Sequence, residues 1–110
     1  MIMNKSKKQV LVKKHRACTN LFSQGFGFML HHKPDYALVF VFKKMRYVPI
    51  TMFLVFFQLD LLFLDEKKRV VEIARLKPFR DYMPKKKAQY VVELPVGRLG
   101  KTKVGDVIEF

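Results

Sequence analysis

The pattern of hydrophobic and polar positions along this chain is organised around one stretch, Ile50 to Asp65, reading ITMFLVFFQLDLLFLD. As one straight strand its sixteen residues would span roughly 50 Å at about 3.3 Å each. A domain of this size has a radius of gyration of roughly 13 Å, so the segment must turn. Its only interior polar residues, Gln58 and Asp60, mark the place. The pattern therefore predicts one strand over Thr51 to Phe57 and another over Leu59 to Leu64. In the first, Met52, Leu54 and Phe56 point one way and Phe53, Val55 and Phe57 the other, so a strand there is covered on both faces. A transmembrane helix across Tyr47 to Leu64 is the rival reading. It is disfavoured because Asp60 would sit in the bilayer and because β-branched and aromatic residues favour strand.

The other elements follow from the same alternation. Val10 to Val12 predicts a short first strand, and Ala37 to Phe42 a second fully apolar strand, ended by Lys43 and Lys44 and at hairpin spacing from Thr51 to Phe57. Arg69 to Ala74 follows Leu59 to Leu64 at hairpin distance, although Asp65-Glu66-Lys67-Lys68 lacks the glycine of the strongest turns. Gln89 to Leu94 and Val107 to Phe110 complete the set, with Gly105 supplying a tight turn. Thr19 offers an N-cap for one short helix, Asn20 to about Gly25. The apolar cluster Phe26, Phe28, Met29 and Leu30 then caps one end of the sheets. The expected fold is mainly β, an antiparallel sandwich or open barrel with one short N-terminal helix.

Length and composition narrow this to a single domain. At 110 residues, half of them hydrophobic and eleven of them Phe, the chain can bury a core without disulfides or a structural metal. Residues 1–9 read as a basic, mobile tail and residues 10–110 as one β domain. The lone Cys18 suits a reducing cytoplasm, and no apolar segment of a secretory signal follows the basic start. No cofactor is expected.

Charge is the outlier. Twenty-two Lys and Arg stand against nine Asp and Glu, a formal net charge of +13, and residues 1–34 contain seven basic residues and no acid. Lys5, Lys7, Lys8, Lys13, Lys14 and Arg16, joined by Lys85, Lys86 and Lys87, form a candidate footprint for nucleic acid or another polyanion. The competing reading is a Lys-rich solubilising surface of the kind that ion-rich thermophile proteins carry.

Catalytic chemistry has little support in the pattern. No nucleophile and base pair, metal-ligand spacing or phosphate loop stands out, and the adjacent His31 and His32 do not easily face one metal. Asp60 is the carboxylate to interrogate. An unpaired buried charge is too costly, so Asp60 is held by backbone N–H groups or a cation, or else neutralised. The structural reading makes it a cap on the turn between two strands; the functional one makes it a ligand-facing acid that needs a partner such as His31, Cys18 or Glu93. Glu93 lies in a strand and reads as outward-facing.

Several segments in fixed order resemble domain of unknown function family 192, the small prokaryotic UPF-type proteins. They run from Ala17-Cys18-Thr19 and Gly27-Phe28-Met29 through Ala37 to Phe42, Met52, Leu59 to Asp65 and Arg69-Val70-Val71. Tyr90 to Gly97 and Lys103-Val104-Gly105-Asp106 complete the match. The resemblance implies a mainly β domain with a short helix, a cytosolic rather than exported member, and Met29, Met52 and Asp60 as ligand-binding residues. That family's signature centres on Pro-Leu/Ile-Asp, where this chain has Gln58-Leu59-Asp60, so no rigid ring sets the bend. The functional expectation is a non-enzymatic binding or interaction module. Polyanion binding through the basic N-terminal third and an enzyme using Asp60 are the alternatives.

Overall fold

A strand with apolar side chains at both parities needs cover on both faces, and two sheets with a crossing segment provide it here. The structure, a computed structural model, describes residues 1–18, 35–52 and 55–110. The helix expected over Asn20 to Gly25, the Phe26 to Leu30 cluster and the His31-His32 pair lie outside the described residues.

The strands are β1 (Ile2–Asn4), β2 (Gln9–Val12), β3 (His15–Cys18), β4 (Ala37–Arg46), β5 (Leu59–Leu64), β6 (Val70–Leu76), β7 (Ala88–Pro95) and β8 (Ile108–Glu109). They form a three-stranded sheet in the order β2-β1-β8 and a five-stranded sheet in the order β3-β4-β7-β5-β6. All pairings are antiparallel except β3 with β4, which is parallel. Among the described residues no helix is long and apolar enough to cross a membrane.

Period-two alternation sorts the large sheet into two faces. Leu38, Phe40, Leu59, Leu61, Phe63 and Val91 enter one core, together with Val48, Ile50, Met52 and Val55 from the crossing segment. Val39, Leu62, Val92 and Leu94 enter the other, where Ile2, Leu11, Val12 and Ile108 meet them from the small sheet.

Three sequence expectations change. The strand expected over Thr51 to Phe57 is absent among its described residues. Instead Val55 N–H donates to the Met52 carbonyl at 3.1 Å, which is a turn, and both side chains enter one core rather than opposite faces. Met52 and Val55 of this run, with Ile50 just before it, cover a sheet face, a role that favours hydrophobic residues as strongly as a buried strand does. Nor does Ala37 to Phe42 pair with it: β4 lies between β3 and β7, and it continues past Lys43 and Lys44 to Arg46, which pairs with Ala88. Finally, residues 1–9, read as a tail, contain β1, whose Ile2 and Asn4 are fully buried.

Two polar devices close the connections. At the β5–β6 turn Lys68 takes the left-handed backbone conformation (φ 61°) in place of the missing glycine. Asp65 compensates by accepting the N–H groups of Lys67 and Arg69, each at 2.9 Å. At the other end, buried Asn4 donates to Thr102 Oγ1 and Asp106 Oδ2, both at 2.9 Å, and Lys7 Nζ lies 3.0 Å from Asp106 Oδ1. The Asn4 hydrogen bond, with those from Lys103 N–H and Lys7, holds the Asp106 carboxyl down at about 2.

A group held below its ordinary value contributes stability that is present above that value and lost as pH falls through the folded one. For Asp106 the window runs from 3.8 down to about 2. Asn4→Ala is expected to lower urea-melt stability by about 1–3 kcal/mol and to move acid unfolding to higher pH. An unchanged acid midpoint would show that Asn4 does not hold the Asp106 carboxylate.

Candidate functional site

Asp60 is the second residue of β5, not a turn residue between two strands, because the bend lies before Leu59. Its side chain is fully buried. Arg75, its cross-strand neighbour on β6, donates from Nε at 2.7 Å and from Nη2 at 3.2 Å, a two-pronged guanidinium–carboxylate pair. Gly97 N–H donates to Oδ2 at 2.9 Å, tying the loop after β7 to the strand. The carboxylate is thus held by a cation and a backbone donor together, and Asp60 raises the already high Arg75 pKa further, first through that hydrogen bond and then through its charge.

Register decides which residues can join Asp60. Leu38 pairs with Glu93 and Glu93 with Leu61, so Glu93 projects on the face of Leu38 and Leu61, whereas Asp60 projects with Leu62 on the opposite face. Cys18, paired with Phe40, is buried on the Glu93 side, as is Met52. The structure therefore brings neither Glu93, Cys18 nor Met52 to Asp60. Met29 lies outside the described residues.

Glu93, read from the sequence as outward-facing, is 5% exposed, and its Oε2 is sealed with no hydrogen-bond partner among the described residues. The reason is topological: β7 is the central strand of the large sheet, with no wet face. Burial pushes the Glu93 carboxyl up to about 8, so it is protonated at neutral pH. Alternation alone could not reveal this, but a lone acid in the apolar run Val91-Val92-Glu93-Leu94 was a usable signal.

The cations predicted as one footprint separate into groups. Lys13, Lys14, His15 and Arg16, with Asp35 and Tyr36, line an open cleft of about 560 Å3. A second cleft of about 430 Å3 shares Lys13, Lys14 and Asp35 and adds Arg98. His15 is pushed down by burial and by the Met1 ammonium 2.9 Å from Nδ1, so the positive charge here comes from Lys, Arg and that ammonium. Lys5, Lys7 and Lys8 lie in the β1–β2 turn, where Lys7 is committed to Asp106. Lys85, Lys86 and Lys87 do not join them. Lys14 C=O accepts from Ala37 N–H at the start of β4, while Lys87 precedes Ala88, which pairs with Arg46 at its end. The ten residues of β4 separate the two groups by roughly 30 Å.

The fold and these sites define a small two-sheet β domain with a basic cleft, a neutral buried acid and no assembled catalytic pair or metal-ligand cluster among the described residues. The chain belongs to domain of unknown function family 192 (Uncharacterized ACR), whose model matches residues 2–110. A UPF0127 protein of Pyrococcus abyssi is 39% identical, spanning 100% of this chain and 97% of its own. One from Thermococcus sibiricus is 33% identical, over 100% of this chain and 74% of that one. Two solved structures share the fold. A protein of unknown function from Novosphingobium aromaticivorans has TM-score 0.79 at 19% identity, covering 87% of this chain and 74% of that one. A putative transcription regulator from Sinorhizobium meliloti has TM-score 0.77 at 22% identity, covering 86% and 79%.

Two outcomes follow for the two acids. A carboxyl raised by folding contributes stability below its ordinary value that is lost as pH rises through the folded value, here between 4.5 and about 8. Glu93→Gln is expected to flatten that part of the stability profile, a difference on the order of 5 kcal/mol across the window; parallel profiles for the two proteins would contradict it. Asp60→Ala is expected to cost about 1–3 kcal/mol in urea melts, with Asp60→Asn milder because the amide oxygen still accepts from Gly97 N–H. Equal midpoints and slopes for the Ala variant and the parent would remove the structural role.

Proposed function

We propose that this protein is a non-enzymatic binding module that takes a polyanion, nucleic acid included, at the basic cleft. The observation that carries the reading is the cleft itself, where Lys13, Lys14 and Arg16 face a concave volume opposed by a single acid, Asp35. Concavity distinguishes this cluster from lysines scattered on a convex surface, because low-dielectric walls focus the field of several cations on one ligand. Arg98 extends the positive rim through the adjoining cleft.

The burial of Asp60 and its three hydrogen bonds, from the Arg75 guanidinium and Gly97 N–H, support a structural over a catalytic role, since a general acid or base must be within reach of a substrate proton. Met52 and Asp60, implied by the family motif, serve on this reading to hold the sheet that carries the cleft. We read the architecture as a sandwich, with Ile2 and Leu11 of one sheet and Leu62 and Val92 of the other sharing a core. The lone Cys18 supports a cytoplasmic setting.

Binding of labelled oligonucleotide, followed by fluorescence anisotropy, tests the proposal. Affinity is expected to be indifferent to sequence and to fall with salt, with a log–log slope of about −0.9 per duplex phosphate contacted. A Lys13→Glu, Lys14→Glu, Arg16→Glu variant is expected to bind at least about tenfold more weakly, while Lys86→Glu, at the far end of β4, leaves binding nearly unchanged. Binding that ignores both salt and the triple substitution would refute the cleft as the site.

A further inference from the structure

At the far end of β4, two segments outside the sheets run antiparallel and close to one another. Ile50 and Tyr82 exchange backbone hydrogen bonds at 2.9 and 2.8 Å, and Met52 N–H donates to Asp81 Oδ1 at 3.1 Å. The Lys87 ammonium sits 5.7 Å from the Tyr47 ring, and the Phe56 and Phe79 rings meet edge to face at 5.2 Å. Glu72 anchors the second segment by accepting from Tyr82 Oη and from the backbone N–H groups of Lys85 and Lys86.

This ribbon displays what a domain of its size normally hides. Phe56 is 58% exposed, Phe79 53% and Met83 66%. Phe79 is held there against its own backbone preference. It follows Pro78 in a turn closed by Arg80 N–H on the Lys77 carbonyl at 3.2 Å, and it occupies the left-handed conformation (φ 63°) that such turns reserve for glycine. A bulky residue in that region carries backbone strain, and the ring gains little burial in return. Strain together with exposed apolar surface is the pattern of a contact surface, not of a core.

The charge around these tips selects the partner. Lys77, Arg80, Lys85, Lys86 and Lys87 are all exposed, whereas the acids of the same region are engaged, Asp81 by Met52 N–H and Glu72 by three donors. Apolar tips in a region where five cations outnumber two acids complement a surface that is anionic outside and hydrocarbon beneath. Single-stranded nucleic acid would share the charge but asks for open aromatic faces on which bases stack. Here the most exposed tip, Met83, has no ring, and Phe56 and Phe79 are turned against each other.

We infer that the ribbon of residues 47–52 and 77–87, with Phe56, docks on anionic lipid bilayers, Phe56, Phe79 and Met83 entering the headgroup boundary while the cations contact lipid phosphates. The surface is distinct from the basic cleft, so the two readings stand or fall separately.

Co-sedimentation of the full chain with large vesicles tests this. The protein is expected to sediment with vesicles of phosphatidylcholine containing phosphatidylglycerol, not with phosphatidylcholine alone, and less so as salt rises. Phe79→Gly removes the ring while relieving the backbone, so it is expected to melt no lower than the parent yet bind vesicles about tenfold more weakly; Phe56→Ser gives a similar loss. The Lys13, Lys14 and Arg16 cleft variant retains vesicle binding. The inference is overturned if the parent does not sediment with the anionic vesicles, or if its partition is unaffected by either Phe substitution. It is equally overturned if those substitutions abolish oligonucleotide binding in a protein that ignores vesicles.

Discussion

Strand β7 has no wet face and no free edge, and the rest of the molecule is arranged around that constraint. β4 and β5 pair with its two edges, so its backbone hydrogen bonding is satisfied within the sheet. Both of its faces must then be covered by different means. The small sheet supplies one cover, using a strand from each terminus of the chain, β1 and β8, side by side. Val48, Ile50, Met52 and Val55 supply part of the other, with Tyr82 packed against the same core. Nearly every long-range feature of the fold is a consequence of enclosing this strand.

The same enclosure produces the contrast between the two acids. Asp60 is reached by a guanidinium from the adjacent strand and by a backbone N–H from the loop beyond β7, so both of its oxygens have donors. Glu93, one residue across the sheet and on the other face, has no such donor for Oε2, and the proton stays on. Two carboxyl groups separated by the thickness of one sheet thus differ in the donors they meet, and burial pushes the one with an unpaired oxygen, Glu93, up to about 8. Neither is placed to work with the other in catalysis, and positive charge outside the core becomes the feature on which binding is most reasonably built.

Charge is partitioned by the length of β4. Cations that are far apart in sequence often converge in a folded chain, and a footprint joining the N-terminal third to Lys85-Lys86-Lys87 was a fair expectation. The structure instead sets a concave cluster at one end of the strand and an apolar, strained and basic ribbon at the other. These are different kinds of surface, one an open basic cleft and the other an exposed apolar ribbon with cations beside it.

Most strands could be read from the chain alone, because they follow from local side-chain pattern. Leu59–Leu64 has the limits that its flanking polar residues imply, and β6, β7 and β8 fall within two residues of their expected ends. That Asp60 must be held by backbone donors or a cation, or else neutralised, also followed from the cost of burying a charge, and only the structure showed a cation and a backbone donor acting together. Only the tertiary structure decided which strands pair, because pairing brings together residues distant in sequence. It likewise decided that Ile50, Met52 and Val55 cover a sheet rather than joining one, since both roles demand the same side chains. It decided that Glu93 is buried as well. Alternation assigns a residue to a face, and whether that face is wet depends on what the rest of the chain lays over it.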